Sequence, residues 1–140
     1  MTKTLQSKLN YLRASVTDGR ARHIRYRQNE LQNLHSALCS SSTELIDAIK
    51  SDSLSSDALK GVAEQEFFLA LDSIRQAYDS LDFNHSIKQE YNVKNGEDNS
   101  TRTVDFGLVV LRPGQWSHFY SVVTPLAAAI AAGNCVLLEV

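Results

Sequence analysis

Gly107-Leu108-Val109-Val110-Leu111 and Cys135-Val136-Leu137-Leu138 are two short runs with almost no polar side chains. A strand in a parallel sheet reads this way, because both of its faces are covered and neither meets water. Between the runs, Ser121 to Ala132 is rich in alanine, and Ala127, Ala128, Ala129, Ala131 and Ala132 let a helix approach a sheet closely. Strand, small-residue helix and strand therefore predict a right-handed crossover that joins two parallel neighbours.

Upstream of this unit, Ile87 to Val93 looks extended, Asn95-Gly96 is a turn signal, and Thr101 to Phe106 reads as a returning strand. The three together predict a polar hairpin. From Thr4 to about Leu81 the pattern is helical, with Leu5, Leu9 and Leu12 in one stripe and Ile24, Leu31, Leu34 and Leu38 in a second. Asp18-Gly19 separates them. Ser41 with Glu44 has the spacing of a capping box, and Leu45, Ile46 and Ile49 then give a third apolar face. A fourth and longest helix is expected from about Ser56, where Leu59, Ala63, Phe67, Ala70, Ile74, Ala77 and Leu81 recur every three or four residues. The fold class is α+β in a single domain over 1–140. Its helical part covers 1–82, and the hairpin and partial α/β unit cover 83–140.

Composition narrows the class of protein. Apolar residues make up 43% and charged residues 21%, with only 6 glycines and 2 prolines, so a disordered or collagen-like chain is excluded. A formal charge of -2 gives no overall field for nucleic acid or an anionic membrane. The arginines Arg13, Arg20, Arg22, Arg25 and Arg27 are the one basic concentration, and Tyr26 alone makes no stacking platform, so they read as a solvated helix face. Val122 to Leu138 is broken by Thr124, Pro125, Gly133 and Asn134 and does not predict a membrane span. Cys39 and Cys135 have no CxxC partner and no secretory leader precedes them, which predicts reduced thiols in a cytoplasmic protein.

The line from Gly107 to Leu111, an aromatic turn with Trp116 and Phe119, and Thr124-Pro125-Leu126-Ala-Ala-Ala-Ile-Ala-Ala-Gly-Asn134-Cys-Val-Leu-Leu138 resembles the aldehyde dehydrogenase superfamily. The similarity is greatest to the branch that acts on fatty and aromatic aldehydes. There a strand, a turn with W-N-x-P, a helix ending in A-I-A-A-G-N and a strand ending in K-P follow one another. Leu12-Arg13-Ala14 and Asp18-Gly19-Arg20, before a leucine-rich helix, are similar to the family's N-terminal helices. The resemblance implies the first part of a dehydrogenase, ending in the start of its nucleotide-binding domain.

The departures imply that redox chemistry is absent. The family uses a cysteine thiolate, a glutamate base, an oxyanion donor and a bound nicotinamide. This chain stops before the positions of that cysteine and glutamate. The W-N-x-P asparagine falls on Trp116 or Ser117, and the K-P pair on Glu139 and Val140. No cofactor and no metal are therefore expected, and Cys39 and Cys135 read as inert thiols. A sheet cut after two strands would leave apolar surface, which predicts a homodimer or a heteromer with a full-length dehydrogenase.

Parallel strands bring their carboxyl ends together, where ligands bind in open α/β sheets. That edge gathers Arg112, Gln115, Trp116, Ser117, His118 and Tyr120 with Glu139. Glu139 and His118 are the expected proton-transfer pair, with burial beside Trp116 raising the carboxyl pKa. Tyr120 and Asp105 are further candidates for acid or base work. Arg112, Gln115, Trp116 and Ser117 would bind substrate, whereas Glu64 and Glu66 read as solvated. The function expected is a non-redox isomerase or cyclase for a small hydrophobic biosynthetic intermediate. The alternative is a non-catalytic pseudoenzyme that binds or regulates a dehydrogenase.

Overall fold

In the computed structural model, which describes residues 2–52, 60–100 and 102–139, the apolar stripes become six helices, α1 to α6, and two strands, β1 and β2. Helix α1 (Thr2–Asp18) stops before Gly19, and a 3-10 turn (Arg20–Arg22) leads into α2 (Ile24–Ser40). His23 starts α2 by accepting a hydrogen bond at Nδ1 from the Arg25 amide, which satisfies one of the first orphan N–H groups. Ser41 ends α2, and its carbonyl accepts from the Leu45 amide to open α3 (Ser42–Asp52). Helix α4 (Lys60–Asp79) follows. The expected start of that helix at Ser56, with Leu59, lies outside the described residues, as do Thr101 and Val140.

The core is made by helices and not by the sheet. Leu31 of α2, Ala70 and Ile74 of α4 and Val123 and Ala127 of α6 (His118–Ala131) form one buried cluster. Ile49 of α3 joins Ala63 and Phe67 of α4 in a second, where the Phe119 ring stacks on Phe67 at 5.6 Å. Alanines at these crossings let backbones approach, so that Leu31, Phe67 and Ile74 fill the space between them.

Strands β1 (Leu108–Leu111) and β2 (Cys135–Leu138) are parallel, with Leu108 opposite Cys135 and Leu111 opposite Leu138. Helix α6 connects them, as the apolar runs predict, and α1 also touches both strands. The Gly133-Asn134 pair has a structural task here. Gly133 (φ +83°) donates to Ile130 and Asn134 to Ala129, which closes α6 in a Schellman motif that a β-carbon would strain. The buried Asn134 then uses its Oδ1 to accept from the Phe106 and Gly107 amides at 2.8 and 3.0 Å. One residue thus ties the end of the helix to the entry of the neighbouring strand.

The expected hairpin is not formed. Phe83–Lys94 is helix α5, and 102–106 carries no strand. Asp82 caps α5 by accepting from the His85 amide at 3.0 Å. At the other end Gly96 (φ +74°) donates to Val93 and Glu97 to Asn92, again a Schellman motif. An Asn-Gly pair satisfies a tight hairpin and a helix terminus equally well, because both need a left-handed residue. Phe83, Ile87 and Tyr91 recur at the four-residue spacing that lets a helix present one face.

Candidate functional site

The strand register sets the geometry of the expected strand-end site. Because Leu111 lies opposite Leu138, the next residues, Arg112 and Glu139, stand side by side. The guanidinium donates twice to the carboxylate, from Nε to Oε2 at 3.2 Å and from Nη2 to Oε1 at 2.8 Å. This fork holds the Glu139 carboxyl below the usual range and lifts the Arg112 pKa. The expectation of a raised Glu139 pKa is therefore reversed, since the side chain is half exposed and Trp116, 87% exposed, does not bury it. A carboxylate stabilised in its charged form is a poor proton donor at neutral pH.

The other strand-end residues scatter. Ser117 takes a left-handed conformation (φ 50°) that turns the chain into α6, and the exposed His118 begins that helix. The Tyr120 amide donates to Glu66 Oε1 at 3.0 Å, so Glu66 secures the start of α6 instead of facing solvent alone. Gln115 is exposed in the connecting loop. Among the described residues, no hydrogen bond joins His118 or Tyr120 to Glu139. Asp105 lies before β1, at the opposite end of the strands from Glu139, and pairs with Arg22 at 2.8 Å. Glu64 likewise pairs with Lys50 at 2.8 Å.

The two thiols differ in setting, and the Cys39 Sγ lies 3.7 Å from His35 Nδ1, a partner that the reading of an unassisted thiol did not include. Both are free, Cys39 exposed and Cys135 partly buried, where desolvation first and then Asp105 raise the Cys135 pKa. Among the described residues no group of three or more His, Cys, Asp or Glu side chains could hold a metal ion.

A better-formed concavity lies elsewhere, between the start of α2 and the exposed face of α5. It is a groove of about 600 Å³ lined by Ile24, Phe83, Ile87 and Tyr91, with Arg22, Arg27, Lys94 and Arg102 around them. A second cavity of about 500 Å³ adjoins it and shares Arg22, Arg27, Ser86, Glu90 and Arg102. The segment 102–106, expected as a strand, serves as a strap: Arg102 binds Glu90 of α5 through Nε and Nη2, and Asp105 holds Arg22.

The arginine concentration is thereby explained, and only in part as a solvated face. Arg20 pairs with Asp18, and Arg25 covers the Phe83 ring at 4.2 Å. Arg27 reaches from α2 to the last turn of α6, where Nη1 donates to the Ala131 carbonyl at 2.7 Å. A cation there complements the negative end of the helix dipole. The Arg27 Nε is buried without a hydrogen-bond partner, and desolvation lowers the pKa against the opposing pull of Asp105. The hairpin expectation concealed this site, because its strand began at Ile87 and left Phe83 outside the element, so that the three never formed one face. The signal that finds them is their spacing of four.

Fold and site together define a mostly helical scaffold that carries one parallel strand–helix–strand unit and a groove lined by aromatic and cationic residues. Comparison with protein-family models, with curated proteins and with solved structures finds no match to this chain. No helix among the described residues is long and apolar enough to cross a membrane.

Proposed function

We propose that this chain is a non-redox, dehydrogenase-like scaffold whose work is to bind a small hydrophobic molecule in the groove between α2 and α5. The observation that carries this is the groove itself, in which Ile24, Phe83, Ile87 and Tyr91 converge on one concavity of about 600 Å³. That size lies within the range of small-molecule sites, which are mainly apolar with a few polar groups at the edge. The resemblance to aldehyde dehydrogenases supplies the scaffold half of the proposal, and the non-redox half rests on Trp116 or Ser117 at the family's W-N-x-P asparagine and on Glu139 and Val140 at its K-P pair. Isomerase or cyclase chemistry at the strand ends would rest on His118 and Tyr120, because Arg112 holds Glu139 as a carboxylate.

The test uses N-phenyl-1-naphthylamine, a neutral apolar probe whose fluorescence rises on leaving water. Saturable binding by the purified protein, lost in Ile87→Glu with helicity unchanged, is the expected result. Absence of binding, or full retention in that variant, would refute the groove. Incubation with NAD and aldehydes should yield no NADH, and turnover there would refute the non-redox half.

A second reading, docking onto a dehydrogenase or a second copy, is favoured by the sheet. It has only two strands among the described residues, and Val110 and Leu138 are exposed at 55% and 39%. An open edge with apolar residues is a template for further pairing.

A further inference from the structure

We propose that the groove selects an organic anion, one with an aromatic or alkyl body and a singly charged carboxylate, sulfonate or similar head; this rests on the α2–α5 groove being the ligand site. The whole chain carries a formal charge of -2, yet the groove reverses that sign. Four cations line it, Arg22, Arg27, Lys94 and Arg102, against one anion, Glu90. Asp105, behind Arg22, brings the anions to two, and cations still outnumber them. The adjoining cavity is different, with Arg22, Arg27 and Arg102 balanced by Asp82, Glu90 and Asp105. A negative head is therefore drawn to the α2–α5 groove and not to its neighbour.

The four cations are not equally available. Arg22 and Arg102 have carboxylate partners, and Arg27 spends one donor on Ala131. Arg27 Nε has no partner, and Lys94 has no ion pair among the described residues. Lys94 stands in the last turn of α5, three residues beyond Tyr91, so a molecule lying along Phe83, Ile87 and Tyr91 ends beside its ammonium group. An apolar body beside a cation defines an amphipathic anion. A neutral ligand of the same shape would leave the local positive charge unanswered, whereas an anion is held by it at short range and released as salt screens the charges.

The experiment compares 8-anilinonaphthalene-1-sulfonate with N-phenyl-1-naphthylamine, which share a body and differ by the sulfonate. At low salt the sulfonate should bind about tenfold more tightly, a difference that salt near 0.3 M removes. Lys94→Gln should weaken the sulfonate about threefold and leave the neutral probe unchanged, a change of the size given by one partly screened charge. Ile87→Glu should abolish both. Equal affinities, tighter binding of the neutral probe, or no effect of Lys94→Gln would overturn the anion inference and leave the apolar groove standing. If neither probe binds, or if both survive Ile87→Glu, the groove and its anion selectivity fall together.

Discussion

Asn134 shows how much one side chain can hold. Its Oδ1 receives two backbone amides, and Nδ2 donates to the Ala129 carbonyl at 3.4 Å, all at a residue that is 7% exposed. Asn134→Ala strands the buried Gly107 amide, and an orphaned buried donor costs about 1–3 kcal/mol. Urea denaturation should show that loss with an unchanged slope, and a loss below about 0.5 kcal/mol would mean that water replaces the amide. Glu139 gives a pH-dependent counterpart. Its folded pKa is depressed by Arg112, so its small contribution is present above the unfolded carboxyl pKa and is lost as pH falls through the folded value. Side-chain carbon NMR should place the Glu139 midpoint below that of an unpaired glutamate, and Arg112→Ala should return it to the ordinary range. A midpoint unmoved by that substitution would refute the pairing as its cause.

At the scale of elements, α5 decides whether the groove exists. Asp82 caps it, and the next residue, Phe83, is the first of the apolar face. Asp82→Ala should cost about 1 kcal/mol, typical of a lost N-cap, and should weaken both naphthalene probes because the first turn carries Phe83. Circular dichroism with probe titration checks this, and unchanged affinity with a frayed helix would separate the cap from the site. The same helix marks the limit of what could be read from the chain. The α2, α4 and α6 stripes and both strands were legible, since Leu31 and Ile74 declare their burial by period and the two apolar runs declare strands. The full cover expected of those strands is not found, with Val110 and Leu138 exposed and none of the other strand residues fully buried. For α5 the period was present, but Asn95-Gly96 carried a stronger local message and two conformations share it. The proximity of Arg112 to Glu139 was legible from parallel strands, whereas the pKa direction was not, because it depends on a contact between side chains. Arg27 facing the groove depended on tertiary packing that no local pattern encodes.

For the whole molecule, the open sheet and the helical core make separate demands. The sheet's apolar edge favours assembly, so static light scattering at micromolar concentration should find a dimer, and Leu138→Lys should shift it toward monomer. A monomer across that range would refute self-assembly through the edge. The core carries a different consequence, one of timing. Leu31, Ala70 and Ile74 close against Val123 and Ala127, which lie 49 to 96 residues later. During synthesis at roughly 5–20 residues per second, α2 and α4 would leave the ribosome several seconds before α6 could cover them. β1 would wait in the same way for β2, because a parallel partner arrives only after its crossover. The nascent chain therefore passes through an interval in which the apolar faces of α2 and α4 are uncovered, and chaperone capture should be greatest on chains halted before Val123.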